Sequence, residues 1–347
     1  MGDKVQELIR IQQIIAPEIT KIIQLRYDIL RAILYNQPIG RRNLASQLKL
    51  GERVIRGEIS FLQELNLLHI NQWGMTLTEE GERITSYLEE YIRQFGGLSS
   101  LEKKICRYLN LPEVIIIPGD SDVNPMVKSD LGRAGARYLK NKLQPKQILA
   151  VTGGTTLAEV AEALGNMRFK MDVLVVPARG GLGEKVEIQA NTIAAQIAEH
   201  LGGDYKLLHV PDNLSPAALR TLQNEPGIKE ILDLIAEADL VVHGIGTIEE
   251  MSSRRGLGEE EVKRIISKGA VGEALGYYID SKGKIVDVIS SIGLHLEDLK
   301  KSKLVVAIAG GKKKAAAILA CMYASPQSTL ITDQGAAEEI VRLIEEK

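Results

Sequence analysis

Apolar positions change their period near residue 97. Before it they recur every three or four residues. Ile22, Leu25, Ile29, Ile33 and Leu34 form one stripe, Val54, Ile55, Ile59, Leu62 and Leu65 a second, and Ile84, Tyr87, Leu88, Tyr91 and Ile92 a third. This is the spacing of helices that bury one face. It predicts helices over 3–36 (broken near Pro17), 52–65 and 79–95, with a short helix before the second that Asn43 caps and that turns Leu44, Ala45 and Leu48 inward. Thr78 caps the helix at 79–95 and sets Glu79 and Glu80 at its positive end. Apolar runs at 67–71 and 75–78 flank Gln72-Trp73-Gly74 and predict a hairpin.

Beyond residue 97, short continuous apolar runs alternate with helical periodicity. Runs at 113–118, 148–151, 173–177, 207–211, 240–243, 304–309 and 329–332 predict strands covered on both faces. Helical spacing occupies 128–143, 155–164, 186–201, 216–222, 228–238, 315–323 and 336–346. Residues 251–268 read as a helix interrupted at Gly256–Gly258, and 277–279 with 285–288 as a hairpin around Asp280-Ser281-Lys282-Gly283. Such alternation gives a doubly wound, mostly parallel α/β sheet. Leu98–Leu109 reads as a linking helix, and Gly96-Gly97 as the boundary between a first domain, 1–97, and a second, 98–347.

Candidate chemistry lies in both halves. Four strands end in glycine-rich turns: Gly153-Gly154 before Thr155-Thr156, Ala178-Arg179-Gly180-Gly181-Leu182-Gly183, Gly244-Ile245-Gly246, and Gly310-Gly311 before Lys312-Lys313-Lys314. In open α/β sheets, ligands sit beyond the carboxyl ends of the strands. A helix that starts at Thr155 offers unbonded N–H groups and a partial positive charge, both of which favour an anion. A single such turn also suits an ordinary strand-to-helix connection; four that converge on one edge point to a ligand. No Gly-Lys-Ser/Thr element and no acidic ribose hook indicates a nucleotide.

In the first half, the short helix, the Leu50-Gly51 turn and the helix at 52–65 make a helix-turn-helix, and the hairpin makes a wing. The outward face of the second helix carries Arg53, Arg56, Gly57 and Ser60. Arg41, Arg42, Lys49, Arg53 and Arg56 meet one acid, Glu52, between 41 and 57. A plain helical hairpin with a charged face would show the same charges without the wing. With it, Arg41, Arg42, Arg53, Arg56 and Ser60 are the expected contacts to DNA phosphates and base edges. Helix-turn-helix proteins commonly bind two half-sites, so a homodimer or homotetramer is expected, with the helix at 79–95 as a candidate dimer contact.

Composition narrows the picture little. The chain has 347 residues, 45% hydrophobic and 25% charged, with Lys+Arg 43 against Asp+Glu 45 and a net charge of -2. No apolar run reaches the ~18 residues of a membrane span. No secretory signal is visible, and two cysteines and five histidines lack metal-ligand spacing. The expectation is a cytoplasmic protein without a membrane partner, metal, cofactor or disulfide.

The segments GRRNLASQLKLGERVIRGEISFLQELNLL, GMTLTEEG, VTGGTTLAEVAE, VPARGGLGEKVEIQANTIAAQIAE, LVVHGIG, EALGYYID and AGGKKKAAAI span nearly the whole chain. With them the chain resembles the SorC/DeoR-type sugar-responsive repressors of bacteria. The resemblance implies an operator-binding N-terminal domain and an effector domain similar to sugar-phosphate isomerases and deaminases. It implies fructose 1,6-bisphosphate as effector and glycolytic genes as target. It also assigns the effector site to Gly153, Gly154, Thr155, Thr156, Arg179, Gln189, Arg254, Glu273 and Lys314. Thr155, Thr156 and Lys314 are allotted to one phosphate, Arg179 and Arg254 to the other, and Gln189 and Glu273 to hydroxyls. Lys312 and Lys313 stand where the family has small polar residues and compete with Lys314 for its role. Thr, Arg, Lys and Glu together suit a phosphorylated polyol, since arginine grips phosphate with a planar fork and a carboxylate accepts from hydroxyls.

A second reading is a sugar-phosphate isomerase or deaminase with an appended DNA-binding domain. Against it, Thr247-Ile248-Glu249 follows Gly-Ile-Gly where the deaminases carry an Asp and a His, and Ala178-Arg179-Gly180-Gly181 replaces their acidic segment. Glu249 and His243 are the residues left for acid–base work under that reading.

Overall fold

The computed structural model describes residues 15–95, 97–167, 169–181, 185–211, 214–289 and 291–346. The helix expected over 3–14, Gly96 of the expected boundary, and Leu182 and Gly183 of the arginine turn lie outside them. Contacts cluster into two compact units, 1–99 and 100–347.

In the first unit, α1 (Pro17–Asn36) starts on a proline whose missing N–H costs nothing there. It is followed by α2 (Arg41–Gln47), α3 (Glu52–Glu64), the strands β1 (Leu68–Asn71) and β2 (Gly74–Leu77), and α4 (Glu79–Phe95). Ile29, Leu30, Ile33, Leu44, Ile55, Ile59, Leu62 and Met75 are its core, each less than 2% exposed. The apolar stripes are not buried at their margins. Val54, Leu65, Ile22 and Tyr87 are exposed, because each lies at the edge of a helical stripe rather than at its centre. Asn43 caps nothing: α2 begins at Arg41 with Gly40 as N-cap, which places Asn43 inside the helix. Thr78 does cap α4, its Oγ1 accepting from Gly81 N–H at 2.9 Å.

α5 (Leu98–Leu109) begins two residues before the second unit and continues into it. Then come β3 (Glu113–Ile117), α6 (Pro125–Lys142), β4 (Ile148–Val151), α7 (Thr155–Gly165), β5 (Leu174–Pro177), α8 (Ala190–Leu201) and β6 (Asp204–Tyr205). Next are α9 (Pro216–Gln223), α10 (Pro226–Ala236), β7 (Leu240–His243), α11 (Ile248–Arg255), α12 (Glu259–Ser267), β8 (Ala270–Ala274), β9 (Tyr277–Asp280) and β10 (Ile285–Val288). The chain closes with β11 (Leu304–Ile308), α13 (Ala315–Ala324), β12 (Thr329–Asp333) and α14 (Gln334–Glu345).

Seven strands form one sheet in the order β3-β12-β11-β7-β4-β5-β6. All its pairings are parallel. Side chains alternate between its faces. Leu149, Val151, Val175, Leu240, Val242, Val306 and Ile308 pack with α6, α7 and α8. Ala150, Val176, Val241 and Val305 pack on the other side with Ile235, Leu208, Leu275, Ile292 and Leu294. From β4 the chain winds outward to β5 and β6, then returns to place β7 on the opposite flank of β4. The order therefore reverses between β4 and β7, where a sheet of this kind opens a crevice for a ligand. A small antiparallel sheet, β10-β9-β8, stands apart.

Two departures from expectation have physical causes. The run at 207–211 is not a strand. Asn191 takes both main-chain groups of Leu208, accepting from its N–H and donating to its carbonyl at 3.0 Å each, in place of a ladder partner. The strand β8 was hidden because Gly272 and Glu273 interrupt its apolar pattern; a Cβ at Gly272 would press into Ala317 of α13. No described helix is long and apolar enough to cross a membrane.

Candidate functional site

In the first unit, Gly51 starts α3, and Ile55, Ile59 and Leu62 turn one side of it into the core. That packing fixes the opposite side outward, so Arg53, Arg56 and Ser60 are exposed together, as are Arg41 and Arg42 on α2. Glu58 is held by Arg26 at 2.8 Å, and the same guanidinium stacks on Phe61, 3.9 Å from the ring centre. β1 and β2 pair antiparallel from Leu68↔Leu77 to Asn71↔Gly74. Asn71 Oδ1 accepts from Trp73 and Gly74 N–H groups and closes the turn. Trp73, 76% exposed, is the tip of this wing rather than a packing residue.

In the second unit the four glycine turns meet at the switch point. Thr152 ties two of them: its N–H donates to Val242 O and its hydroxyl accepts from Gly244 N–H, both at 3.1 Å. A backbone bridge between Gly246 and Glu273 brings the small sheet against the β7 turn, with N–H···O distances of 3.0 and 2.9 Å. A second bridge joins Arg179 to Gly293. The space enclosed is a cavity of about 330 Å³, lined by Gly153, Gly154, Thr155, Thr156, Arg179, Arg254, Glu273 and Lys314 among others. That volume is at the small end of small-molecule sites. Gln189 precedes α8 and is not part of the lining.

Each polar wall has its own construction. At the α7 wall, Gly154 takes φ 135° as N-cap, a conformation that favours glycine, and frees the first turn of α7 toward the cavity. Arg254 reaches this wall, its Nη1 3.7 Å from where a Cβ of Gly154 would stand. At the small-sheet wall, Glu273 is 4% exposed. Its Oε1 lies 3.3 Å from Arg255 Nη2 and 3.7 Å from Arg179 Nη1, and it accepts from Gly276 N–H. Arg179 also donates to Ser291. Burial works to raise the Glu273 pKa, but the two guanidiniums and the Gly276 N–H outweigh it and hold the carboxyl below its ordinary value. The two arginines and their carboxylate form a buried triad.

At the β11 wall the three lysines separate. Asp120 and Asp122 accept from the main-chain N–H groups of Lys312 and Lys313 at 3.3 and 2.8 Å, and Lys312 Nζ pairs with Glu339. Lys314 alone of the three lines the cavity, 3.4 Å from Ile245 O and 2.7 Å from Glu250.

The acid–base residues of the enzyme reading are placed elsewhere. Glu249 is exposed and outside the lining. His243 is fully buried, its Nδ1 3.1 Å from Gly244 O and its Nε2 3.0 Å from the Gln327 amide. Burial lowers its pKa, against the pull of Gln327, Gly244 and Glu273. Gln327 turns its Oε1 to this ring and donates from its NH₂ to Ser325 Oγ at 2.9 Å, so each ring nitrogen faces a protein oxygen. Both ring nitrogens are thus spent on structure.

Two family models match consecutive parts of the chain. Residues 22–92 match the family "CggR N-terminal DNA binding domain", and residues 93–342 match "Putative sugar-binding domain". The central glycolytic genes regulator of Priestia megaterium is 48% identical over 97% of this chain and 99% of its own length. That of Bacillus subtilis is 44% identical over 97% and 99%. The chain belongs to the family of central glycolytic genes regulators. The "putative SorC family transcriptional regulator" from Enterococcus faecalis, a crystal structure, superposes with a TM-score of 0.65 at 44% identity, covering 70% of this chain and 99% of that one. As a member of this regulator family, the protein is a transcriptional regulator rather than an enzyme, with a DNA-binding domain and a sugar-binding domain.

Glu250 and Arg255 line the cavity as well, beyond the residues expected from the sequence. Their place on one helix is local; their partners are not. Thr247 is an N-cap that accepts from Glu250 N–H at 3.3 Å. A helix beginning at Ile248 then puts Glu250 and Arg254 four apart on one face, with Arg255 in the last turn.

Proposed function

We propose that the protein is a repressor that binds the operator of glycolytic genes as a homodimer or homotetramer in the cytoplasm, and that a phosphorylated sugar, fructose 1,6-bisphosphate, loosens its hold on DNA. The observation that carries this reading is the convergence of a bare helix N-terminus, Thr155, Thr156, Arg254, Arg179 and Lys314 on one small cavity. Each phosphate monoester brings about −1.5 to −2 charges at neutral pH, so a bisphosphate needs several separated donors. The proximity of Arg254 to Gly154 favours moving Arg254 to the phosphate at the α7 N-terminus. Arg179 and Lys314 then serve the other end, with Glu273 holding arginines as well as facing hydroxyls.

The ligand changes DNA affinity only if it binds one arrangement of domains or subunits better than another. The proposed lever is α11 with the Gly256-Leu257-Gly258 connection. Gly256 ends α11 in the left-handed conformation and Gly258 starts α12. Operator binding is titrated in the presence of fructose 1,6-bisphosphate, fructose 6-phosphate and glucosamine 6-phosphate. The bisphosphate is expected to weaken the complex at concentrations well below those at which either monophosphate acts. Equal potency of all three refutes the two-phosphate site.

On the DNA side, Arg53, Arg56 and Ser60 are proposed to enter the major groove, with Arg41 and Arg42 on phosphates. Arg53→Ala or Arg56→Ala is expected to cost about 1–3 kcal/mol in operator affinity, with relaxed specificity where a bidentate base contact is lost. Gel-shift titration of the double substitution with unimpaired binding removes α3 as the reading helix.

A further inference from the structure

The cation that the β11 turn sends into the cavity has an anion beside it. Lys314 Nζ lies 2.7 Å from Glu250 Oε2. The Lys314 side chain is 18% exposed and that of Glu250 50%, and both line the cavity. Glu250 is held over the β7 turn: its Oε2 is 3.8 Å from where a Cβ of Gly246 would stand, and its main chain is pinned by the Thr247 cap. Lys312 and Lys313 are tied to Asp120 and Asp122 through their main chains and are not part of the lining, so neither relieves Lys314. Nothing in the helix requires Glu250 to face inward, since an acid at this position interacts with the helix end from either side.

We propose that Glu250 is an internal competitor for the ligand's anion. It occupies Lys314 until a phosphate displaces it, and so sets both the affinity of the pocket and the charge that a ligand must bring. This rests on the reading of the cavity as an anion site. A phosphate monoester near −2 outbids one carboxylate for an ammonium, whereas a neutral sugar offers Lys314 nothing in exchange. The displaced carboxylate is half in water already, so its release costs little. Glu250 and Arg254 sit on the same face of α11. A ligand that evicts the first and engages the second pulls on both ends of that helix in one event.

The test is calorimetric titration of the full chain and its Glu250→Gln and Glu250→Ala variants. The probes are fructose 1,6-bisphosphate, inorganic phosphate and unphosphorylated fructose. Both variants are expected to bind the two anions roughly 1.5- to fivefold more tightly than the parent, the range a half-exposed ion pair supports, with fructose unaffected. In a Lys314→Ala background the gain from Glu250→Gln is expected to vanish, which assigns it to that pair. Unchanged or weaker anion binding by both variants overturns the inference while leaving the bisphosphate reading intact if the parent binds the bisphosphate. A parent that binds no sugar phosphate, with a Glu250→Gln variant that still gains inorganic phosphate, sinks the bisphosphate reading and keeps the inference. Silence of every protein toward both anions ends both.

Discussion

Glu273→Ala is expected to destabilise the sugar-binding domain by about 3–5 kcal/mol, the range for breaking a buried ion pair and leaving its partners uncompensated. The carboxylate is 4% exposed, and the side chains of Arg179 and Arg255 are 8% and 4% exposed. Two guanidiniums would remain in the protein interior with no charge between them. Urea unfolding of the intact protein measures the loss, with Glu80→Gln on the exposed first turn of α4 as a surface control within about 0.5 kcal/mol. A loss below about 1 kcal/mol would mean that the arginines escape to solvent when released. The pH dependence has a definite sign. The folded-state pKa of Glu273 is depressed below 4.5, so its contribution is present above that value and lost as pH falls through the folded pKa. The gap between the parent and Glu273→Ala is therefore expected to narrow below about pH 4.5.

Gly276→Ala is the second large effect, and it acts without touching the cavity. Gly276 has φ 82°, and a Cβ there would overlap the Arg179 guanidinium. The substitution pushes that side chain out of its bonds to Glu273 and Ser291. It is expected to mimic Arg179→Ala, which removes a charged hydrogen-bond partner worth about 1.5–3 kcal/mol, or at least about tenfold in affinity for fructose 1,6-bisphosphate. Operator binding without ligand should stay at the parent level in both variants. Calorimetry on the two side by side checks this; full bisphosphate affinity in Gly276→Ala means that Arg179 is not a ligand contact.

Six of the seven strands were legible because they are continuous apolar runs, four of them ended by glycine; β6, which is Asp204–Tyr205, has no such run. The winged-helix elements were legible for the opposite reason: Ile55, Ile59 and Leu62 bury one side of α3 cleanly, so the basic side had to face out. Caps were read unevenly. Thr78 has the geometry it was given, whereas Asn124-Pro125 starts α6 three residues before its apolar pattern does. The pocket divides in the same way. Residues on strand-to-helix turns, such as Thr155 and Lys314, follow from the chain itself. Glu250, Arg255 and the β8 placement of Glu273 do not, because their partners lie on other elements: Arg255 meets a carboxylate 18 positions away, and Lys314 one 64 positions before it (314 − 250). Pairings at that range are set by the topology of the sheet, not by local periodicity.

The buried histidine has a consequence for how the pocket behaves in a cell whose acidity drifts. No histidine or cysteine is among the described lining residues, and burial holds His243 behind them below its ordinary pKa, against the pull of Gln327 and the Gly244 carbonyl. The side chain that most often turns modest acidification into a change of charge is thereby taken out of play. A phosphorylated ligand keeps its own titration, with a second pKa near 6. With the proposed phosphorylated effector, the group at this site whose charge changes near neutrality is the ligand's own phosphate, and a drop in pH is expected to alter the message rather than the reader.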